Sequence, residues 1–289
     1  MNILIIDELL SKIEKKLTQQ ERYEYGTRIY SSYSIFDSAN ILWRKIILEA
    51  PKVLKHILTD YVMEVSPYEF VNAYMYKYYP NESIIKSVFS RKHLNRDDEI
   101  TFFEMNVGKS RLDLARINGH SSAYEIKTEF DTLNKLEKQV NDYYKVFEFV
   151  YIIIHKKHTN KAMNIVPNEC GIIEYKTENG QIIFNYKRKS EKNSKIDSLF
   201  QLEVLTKSEL IYLAKKNNIS TNMSSKLELI SVLNKELNDV KINKHFKGIL
   251  KNKYQNKWKN IKKYSFEIND IDTQLFFKNE LEPNIFYNL

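Results

Sequence analysis

The stretch ITFFEMNVGKSRLDLARINGHSSAYEIKT, residues 100–128, decides the fold class. Apolar and polar residues alternate through 100–107, 111–117 and 123–128, a period of two that belongs to strands with one face buried. Gly108-Lys109-Ser110 and Asn118-Gly119-His120-Ser121 divide the three runs and have turn compositions. Three strands joined by such short turns are expected to form an antiparallel meander. Helical spacing returns over 131–148 through Leu133, Leu136, Val140, Tyr143 and Phe147, with Asp131 placed to cap its start. The run Phe149-Val-Tyr-Ile-Ile-Ile154 then has the composition of a strand buried on both faces after a crossover helix. Residues 171–175 and 181–186, divided by Glu178-Asn179-Gly180, read as a hairpin at the end. Strand, strand, strand, helix, strand is the order of an α/β core.

Outward from this core the chain is helical on both sides. Ile5, Leu9, Ile13 and Leu17 recur at helical spacing, as do Ile46, Leu54 and Ile57 around Pro51. Pro80 and Asn81-Glu82-Ser83 start a further helix whose buried stripe would be Ile84, Ile85, Val88 and Phe89. A polar linker over 187–195 precedes helices that begin near Leu199. The expected segments are an N-terminal helical region (1–75), the α/β core (76–190), a two-helix module (199–238) and a basic C-terminal helical region (239–289).

With 289 residues, 43% hydrophobic and 28% charged, the chain can bury a sizeable core, which excludes a wholly disordered protein. Its single cysteine, Cys170, excludes an intramolecular disulfide framework and a Cys-rich zinc site, and fits a reducing cytosol. No apolar run approaches the ~20 residues of a membrane span. Residues 1–10 carry acids where a secretory signal has bases. A soluble, cytoplasmic chain with no membrane partner is therefore expected. The formal charge of +8 makes nucleic acid the first candidate partner.

The chemistry concentrates on the second and third strands. Strand alternation puts Glu125 and Lys127 on one face with Ile126 on the other, and pairing across the 118–121 turn can bring Asp113 beside them. Two neighbouring carboxylates repel unless protonated or metal-bound, so the arrangement suits a hard divalent cation, Mg²⁺ or Mn²⁺. An adjacent lysine can orient a water and steady developing phosphate charge. A lone Glu-x-Lys triplet is ordinary in so charged a chain. The aspartate twelve residues earlier, the apolar alternate positions and the helix directly after set this one apart. His155 and His158 flank two lysines with no third ligand near and read as a solvated loop. Cys170 has no basic activator and reads as a buried small hydrophobe, so a cysteine hydrolase is not indicated.

Asp113, Tyr124-Glu-Ile-Lys-Thr128, and Gln139 and Tyr143 on the following helix resemble the PD-(D/E)XK nuclease superfamily, including the Gln-x-x-x-Tyr feature of its RecB-like branch. The likeness is closest to an uncharacterised bacterial family known by an sce locus-tag name. It is visible in Glu104-Met-Asn-Val-Gly-Lys-Ser-Arg-Leu-Asp113, Tyr124-Glu-Ile-Lys-Thr-Glu-Phe-Asp-Thr-Leu133 and Leu136-Glu-Lys-Gln139 to Tyr143, and covers about residues 75–175. The resemblance implies a restriction-endonuclease-like core with a mixed central sheet, acting on DNA in a bacterial or phage setting. It implies Asp113 and Glu125 as Mg²⁺ ligands, joined by the Ile126 carbonyl, with Lys127 positioning the attacking water. Gln139 and Tyr143 would brace the site or contact substrate. Leu112 stands where the name-giving proline would be. Glu104, at even spacing from Phe102 and Asn106, is favoured over Glu82 as the additional catalytic and metal-binding carboxylate. A surface ion pair of Glu104 with Arg111 or Lys109 is an equal reading of the same position.

Further on, Leu205-Thr206-Lys-Ser-Glu209 has a capping-box pattern with Leu210, Leu213 and Ala214 at helical spacing. Residues 217–224 break the helix, and Lys226, Leu229, Ile230 and Leu233 form a second. The pair resembles the helix-extended-loop-helix modules of SAP and Rho N-terminal type, which bind nucleic acid; plain two-helix packing would give the same spacing. Between Lys241 and Lys263 lie nine lysines and no acid, interleaved with Phe246, Tyr254, Trp258 and Ile261. Lys226, Lys251, Lys253, Lys257, Trp258 and Lys259 are the expected nucleic-acid contacts, the lysines neutralising phosphates and the aromatics packing on the body or stacking on bases. A protein partner or a second copy is expected to use the N-terminal helices.

Overall fold

The computed structural model describes residues 3–178, 180–194, 196–222 and 225–287. The alternating run folds as β1 (Ile100–Val107), β2 (Ser110–Ile117) and β3 (Ser121–Lys127). They form an antiparallel meander with Ile100 opposite Ile117 and Leu114 opposite Tyr124. Gly108 and Gly119 turn the chain at φ 58° and 88°, a region open to glycine because it has no Cβ. Helix α7 (Leu136–Tyr144) crosses over, and β4 (Phe149–His155) returns parallel to β3 with Ile154 opposite Lys127. β5 (Gly171–Glu178) runs parallel to β4, and β6 (Gln181–Arg188) completes a six-stranded mixed sheet in the order β1-β2-β3-β4-β5-β6. The fold is thus α/β, a mixed sheet with flanking helices. Of the expected hairpin turn, Asn179 lies outside the described residues.

The crossover helix is shorter than its periodicity predicts. Asp131 does not cap it: its Oδ2 accepts the Thr128 N–H and hydroxyl, each at 2.6 Å. That closes a turn over 128–131, and the helix starts five residues later without a side-chain cap. An aspartate serves a turn or a cap with the same hydrogen bond, so periodicity alone does not choose.

The helices are α1 (Ile3–Lys16), α2 (Gln19–Ser32), α3 (Ala39–Glu49), α4 (Lys52–Asp60), α5 (Pro67–Tyr78) and α6 (Glu82–Arg91) before the sheet. After β4 come α8 (Thr159–Met163), α9 (Ser198–Val204), α10 (Lys207–Lys216), α11 (Lys226–Glu236), α12 (Asp239–Lys263), α13 (Thr273–Asn279) and α14 (Pro283–Phe286). No helix among the described residues is long and apolar enough to cross a membrane.

The expected linear segments regroup into two compact units: residues 1–91, 177–182 and 260–289 in one, 92–176 and 183–259 in the other. Within the first, the chain's end is tied to its beginning. Tyr33 and Tyr287 hydroxyls each donate to Asp272 Oδ2 at 2.8 Å, and Arg91 Nε donates to Asp270 Oδ1 at 2.7 Å. On α6 the buried stripe holds Ile84, Ile85 and Phe89 as expected, but Val88 is half-exposed and Lys86, Ser87 and Ser90 are buried. Ser87 turns inward to donate to Asp270 at 2.6 Å. In the second unit, α10 and α11 start with capping boxes at Thr206/Glu209 and Ser225/Glu228.

Gly171 stands opposite Tyr151 where β5 begins. A Cβ there would lie 2.2 Å from the Tyr151 ring and 2.9 Å from the Ser190 backbone nitrogen. The ring cannot retreat easily, because it stacks on Tyr124 with centroids 5.2 Å apart. Gly171→Ala is expected to cost about 1–3 kcal/mol by overpacking, read from the urea midpoint; an unshifted midpoint would show that the ring gives way freely.

Candidate active site

On β3 the side chains of Glu125 and Lys127 share a face, and one step beyond the Leu114–Tyr124 pair Asp113 comes level with Glu125. Glu125 is 1% exposed. A carboxylate removed from water needs hydrogen bonds to offset lost hydration, and three donors supply them. Lys127 Nζ and Gln139 Nε2 reach Oε1, each at 2.5 Å, and the Tyr143 hydroxyl reaches Oε2 at 2.6 Å. Gln139 and Tyr143 arrive together because they sit four residues apart on α7. The Tyr143 oxygen is also 2.9 Å from the Arg111 carbonyl, so one proton serves two acceptors. Asp113 accepts the Ile126 N–H at 2.7 Å, which joins β2 to β3 at the level of the site.

The protonation states follow from these contacts. Burial draws the Lys127 ammonium down, but Glu125, Asp113 and Asp131 outweigh it and hold the group above its ordinary value. Lys127 is therefore a cation at neutral pH, able to donate and to stabilise negative charge. Burial, then the Glu125 carboxylate, pushes the Tyr143 hydroxyl well up, so it stays a donor. Gln139 must aim its NH₂ at the carboxylate, which leaves its Oε1 buried with no partner.

Glu104 is not gathered into this cluster. It stands level with Asp113 between the Phe103–Leu114 and Met105–Leu112 pairs, but its side chain is exposed and ion-paired with Arg111. Its backbone is left-handed at φ 56°, a conformation that costs a non-glycine residue on the order of 1–3 kcal/mol. Glu82 pairs with Lys86 at 2.5 Å. Among the described residues no group of three His, Cys, Asp or Glu side chains is placed to hold a metal. The donors that are together, Asp113 and Glu125 with the orphaned Gln139 oxygen beside them, suit Mg²⁺ in kind: that ion commonly takes one or two carboxylates and keeps several waters.

The expected nucleic-acid contacts divide. Trp258 is 1% exposed and offers no face to a base; Phe246, Leu250 and Trp258 recur every four or eight residues on the buried side of α12. Lys226 donates to the Glu203 carbonyl at 2.7 Å, Lys251 to the Asp98 carbonyl at 2.9 Å, and Lys253 pairs with Glu209 at 2.9 Å. Lys259 is exposed and Lys257 half-exposed. His158 lies against the Glu129 carbonyl, and burial pushes the Cys170 thiol up to about 12, an inert buried group. Arg111, which the sequence offers as a partner for Glu104, pairs with that carboxylate, and its carbonyl also meets Tyr143, a contact that sequence reasoning missed. Its place two residues before Asp113 on the same strand face was the available signal.

Tyr143→Phe removes one of the three donors to a buried charge. A loss of about 1.5–3 kcal/mol is expected, measured by denaturant unfolding; a loss within error would show that Glu125 does not depend on the hydroxyl.

Fold and site together define an α/β protein with a buried carboxylate–lysine cluster on a mixed sheet. A family model described as Bacteriophage P4 protein cII matches residues 75–274, and the chain belongs to that family. It is 31% identical over 144 residues to Protein cII of Enterobacteria phage P4, a stretch that covers 50% of this chain and 54% of the relative. The match thus spans about half the length of each. No solved structure matches.

Proposed function

We propose that the chain is a divalent-metal-dependent nuclease with a restriction-endonuclease-like core that hydrolyses phosphodiester bonds, with DNA as its substrate. The observation that carries this reading is the buried Glu125 carboxylate, held by Lys127, Gln139 and Tyr143 beside Asp113. The order of elements supports it: an antiparallel meander, one crossover helix that supplies Gln139 and Tyr143, and a parallel fourth strand. Asp113 and Glu125 would hold the cation, which when bound supplies Lewis-acid polarisation of the phosphate and activation of the attacking water. Lys127 contributes fixed positive charge where the phosphate gains negative charge. Gln139 and Tyr143 keep the Glu125 carboxylate in one orientation, so nothing need reorganise as charge develops. The formal charge of +8 favours approach to a polyanion.

Metal binding tests the reading without requiring a substrate. Mg²⁺ or Mn²⁺ is expected to raise the melting temperature, by about 2.7 kcal/mol of stabilisation at a hundred times Kd, and Asp113→Ala to abolish the rise. A wild-type protein that ignores both ions would contradict the proposal and favour the rival, a nuclease-fold chain that binds nucleic acid or a protein partner without turnover.

A further inference from the structure

The parallel register sets Lys127, the last residue of β3, beside Ile154 of β4, so the chain leaves both strands at one edge. The carboxyl ends of parallel strands are where open α/β sheets take ligands. Two segments meet there. The first is the turn 128–131, closed by Asp131 on Thr128 and by the Asp131 N–H donating to the Thr128 carbonyl at 3.3 Å. Phe130 is its third residue and is 48% exposed. The second is the short 3₁₀ turn Lys156–His158 that leads into α8. His158 Nε2 donates to the Glu129 carbonyl at 2.9 Å, which ties this turn to the one presenting Phe130.

Lys156, Lys157 and Lys161 are exposed here, and none has an ion pair among the described residues. Glu174, an acid of the adjoining strand, is already engaged by Thr159 at 2.8 Å and Lys187 at 3.1 Å. Glu129 and Asp131 flank Phe130, Asp131 being held by Thr128. The positive charge of this edge therefore comes from the facing lysines, set beside an aromatic ring held on a pinned turn. Lysines neutralise backbone phosphates, and an exposed ring stacks on a base. Inside a duplex both faces of a base are covered by its stacked neighbours, and a ring enters only by unstacking a step. The unstacked bases of a single strand or an end offer a face at no such cost.

We propose that this edge is the track of the strand to be cut: Lys156, Lys157 and Lys161 take its phosphates and Phe130 stacks on an unpaired base. The substrate class is then DNA with unpaired bases beside the scissile bond, a single strand or a frayed end. This rests on the nuclease reading above, and its test is chosen to fail separately.

Binding of a labelled oligothymidylate and of a hairpin duplex is measured by fluorescence anisotropy in EDTA, where metal-dependent cleavage plays no part. Wild type is expected to favour the single strand. Phe130→Ala should lower single-strand affinity about 10-fold with little change for the duplex, and Phe130→Trp should restore it. The triple variant Lys156→Ala/Lys157→Ala/Lys161→Ala should flatten the salt dependence of single-strand binding by about 2, at about 0.7 per phosphate contact. The charge-matched Lys15→Ala/Lys16→Ala/Lys52→Ala should leave it unchanged. Unaltered binding in Phe130→Ala, an equal flattening in the charge-matched control, or no binding by wild type would each overturn the inference. The expected binding pattern in a protein that cuts no DNA would keep this track and remove the nuclease reading.

Discussion

Glu125→Ala is expected to destabilise the sheet-bearing unit by about 3–5 kcal/mol, the usual cost of removing one partner from a buried ion pair. The size comes from what is left behind. Lys127, with a side chain 12% exposed, would keep a cation with no carboxylate at 2.5 Å to compensate it. Gln139 and Tyr143 would each lose the acceptor of a short hydrogen bond. Burial, now unopposed by Glu125, would draw the lysine down from the raised value it holds in the wild type. In the wild type that raised value means the lysine's share of the pair's stability is intact at neutral pH and is lost as pH climbs through the lysine range. Adding Lys127→Met to Glu125→Ala should recover much of the loss, because an apolar chain of similar length needs no counter-charge. Urea unfolding of the single and double variants reads both effects. A loss below about 1 kcal/mol in the single variant, typical of an exposed pair, would contradict the geometry.

The second large effect is one of pH. Burial pushes the Asp272 carboxyl up to about 7 from 3.8, and the hydroxyls of Tyr33 and Tyr287 only partly oppose it. The neighbouring Asp270 is separately paired with Arg91 at 2.7 Å. Between these two pKa values the folded state keeps a proton that the unfolded chain has released. The Asp272 contribution to stability therefore falls as pH rises across this window and levels off above it. The full change is roughly 4 kcal/mol, at about 1.4 kcal/mol per pKa unit. Burial holds His93 down at about 3 and lowers His155 and His245, which adds stability with rising pH in wild type and variant alike. The readout is therefore the difference: the advantage of wild type over Asp272→Asn in unfolding should shrink between about pH 5 and about pH 8. A difference between wild type and Asp272→Asn that does not change over that interval would show that Asp272 is ionised in the fold.

Local periodicity accounts for what the sequence made legible. The meander follows from alternation and turn glycines, Glu125 and Lys127 share a face by strand geometry, and Gln139 with Tyr143 converge by helical spacing. Each of these depends on neighbours within a few residues. The rest turns on partners distant in the chain or on conformations that residue type does not specify. Asp272 meets Tyr33 across 239 residues, so the joining of the last helices to the first has no local signature. For Glu104 the sequence offers a metal-binding carboxylate and an ion-pair partner of Arg111 or Lys109 equally. The pairing of β1 with β2 decides for Arg111, and the left-handed backbone has no signal in residue type. Trp258 was legible as an aromatic among lysines, yet a helix with basic residues around most of its circumference does not declare which side is buried. Asp131 could cap or turn, and only the packing of Leu133 and Leu136 into the core decides.

The central claim is that Asp113, Glu125 and Lys127 form a hydrolytic site, and cleavage tests it most directly. Linear duplex, single-stranded and supercoiled DNA, with RNA alongside, are incubated with wild type and Lys127→Ala in Mg²⁺, Mn²⁺ or EDTA. The account predicts DNA cutting by wild type that EDTA abolishes and Lys127→Ala lacks. Cutting by Lys127→Ala at the wild-type rate, or no cutting by wild type while salt-sensitive binding persists, would contradict it.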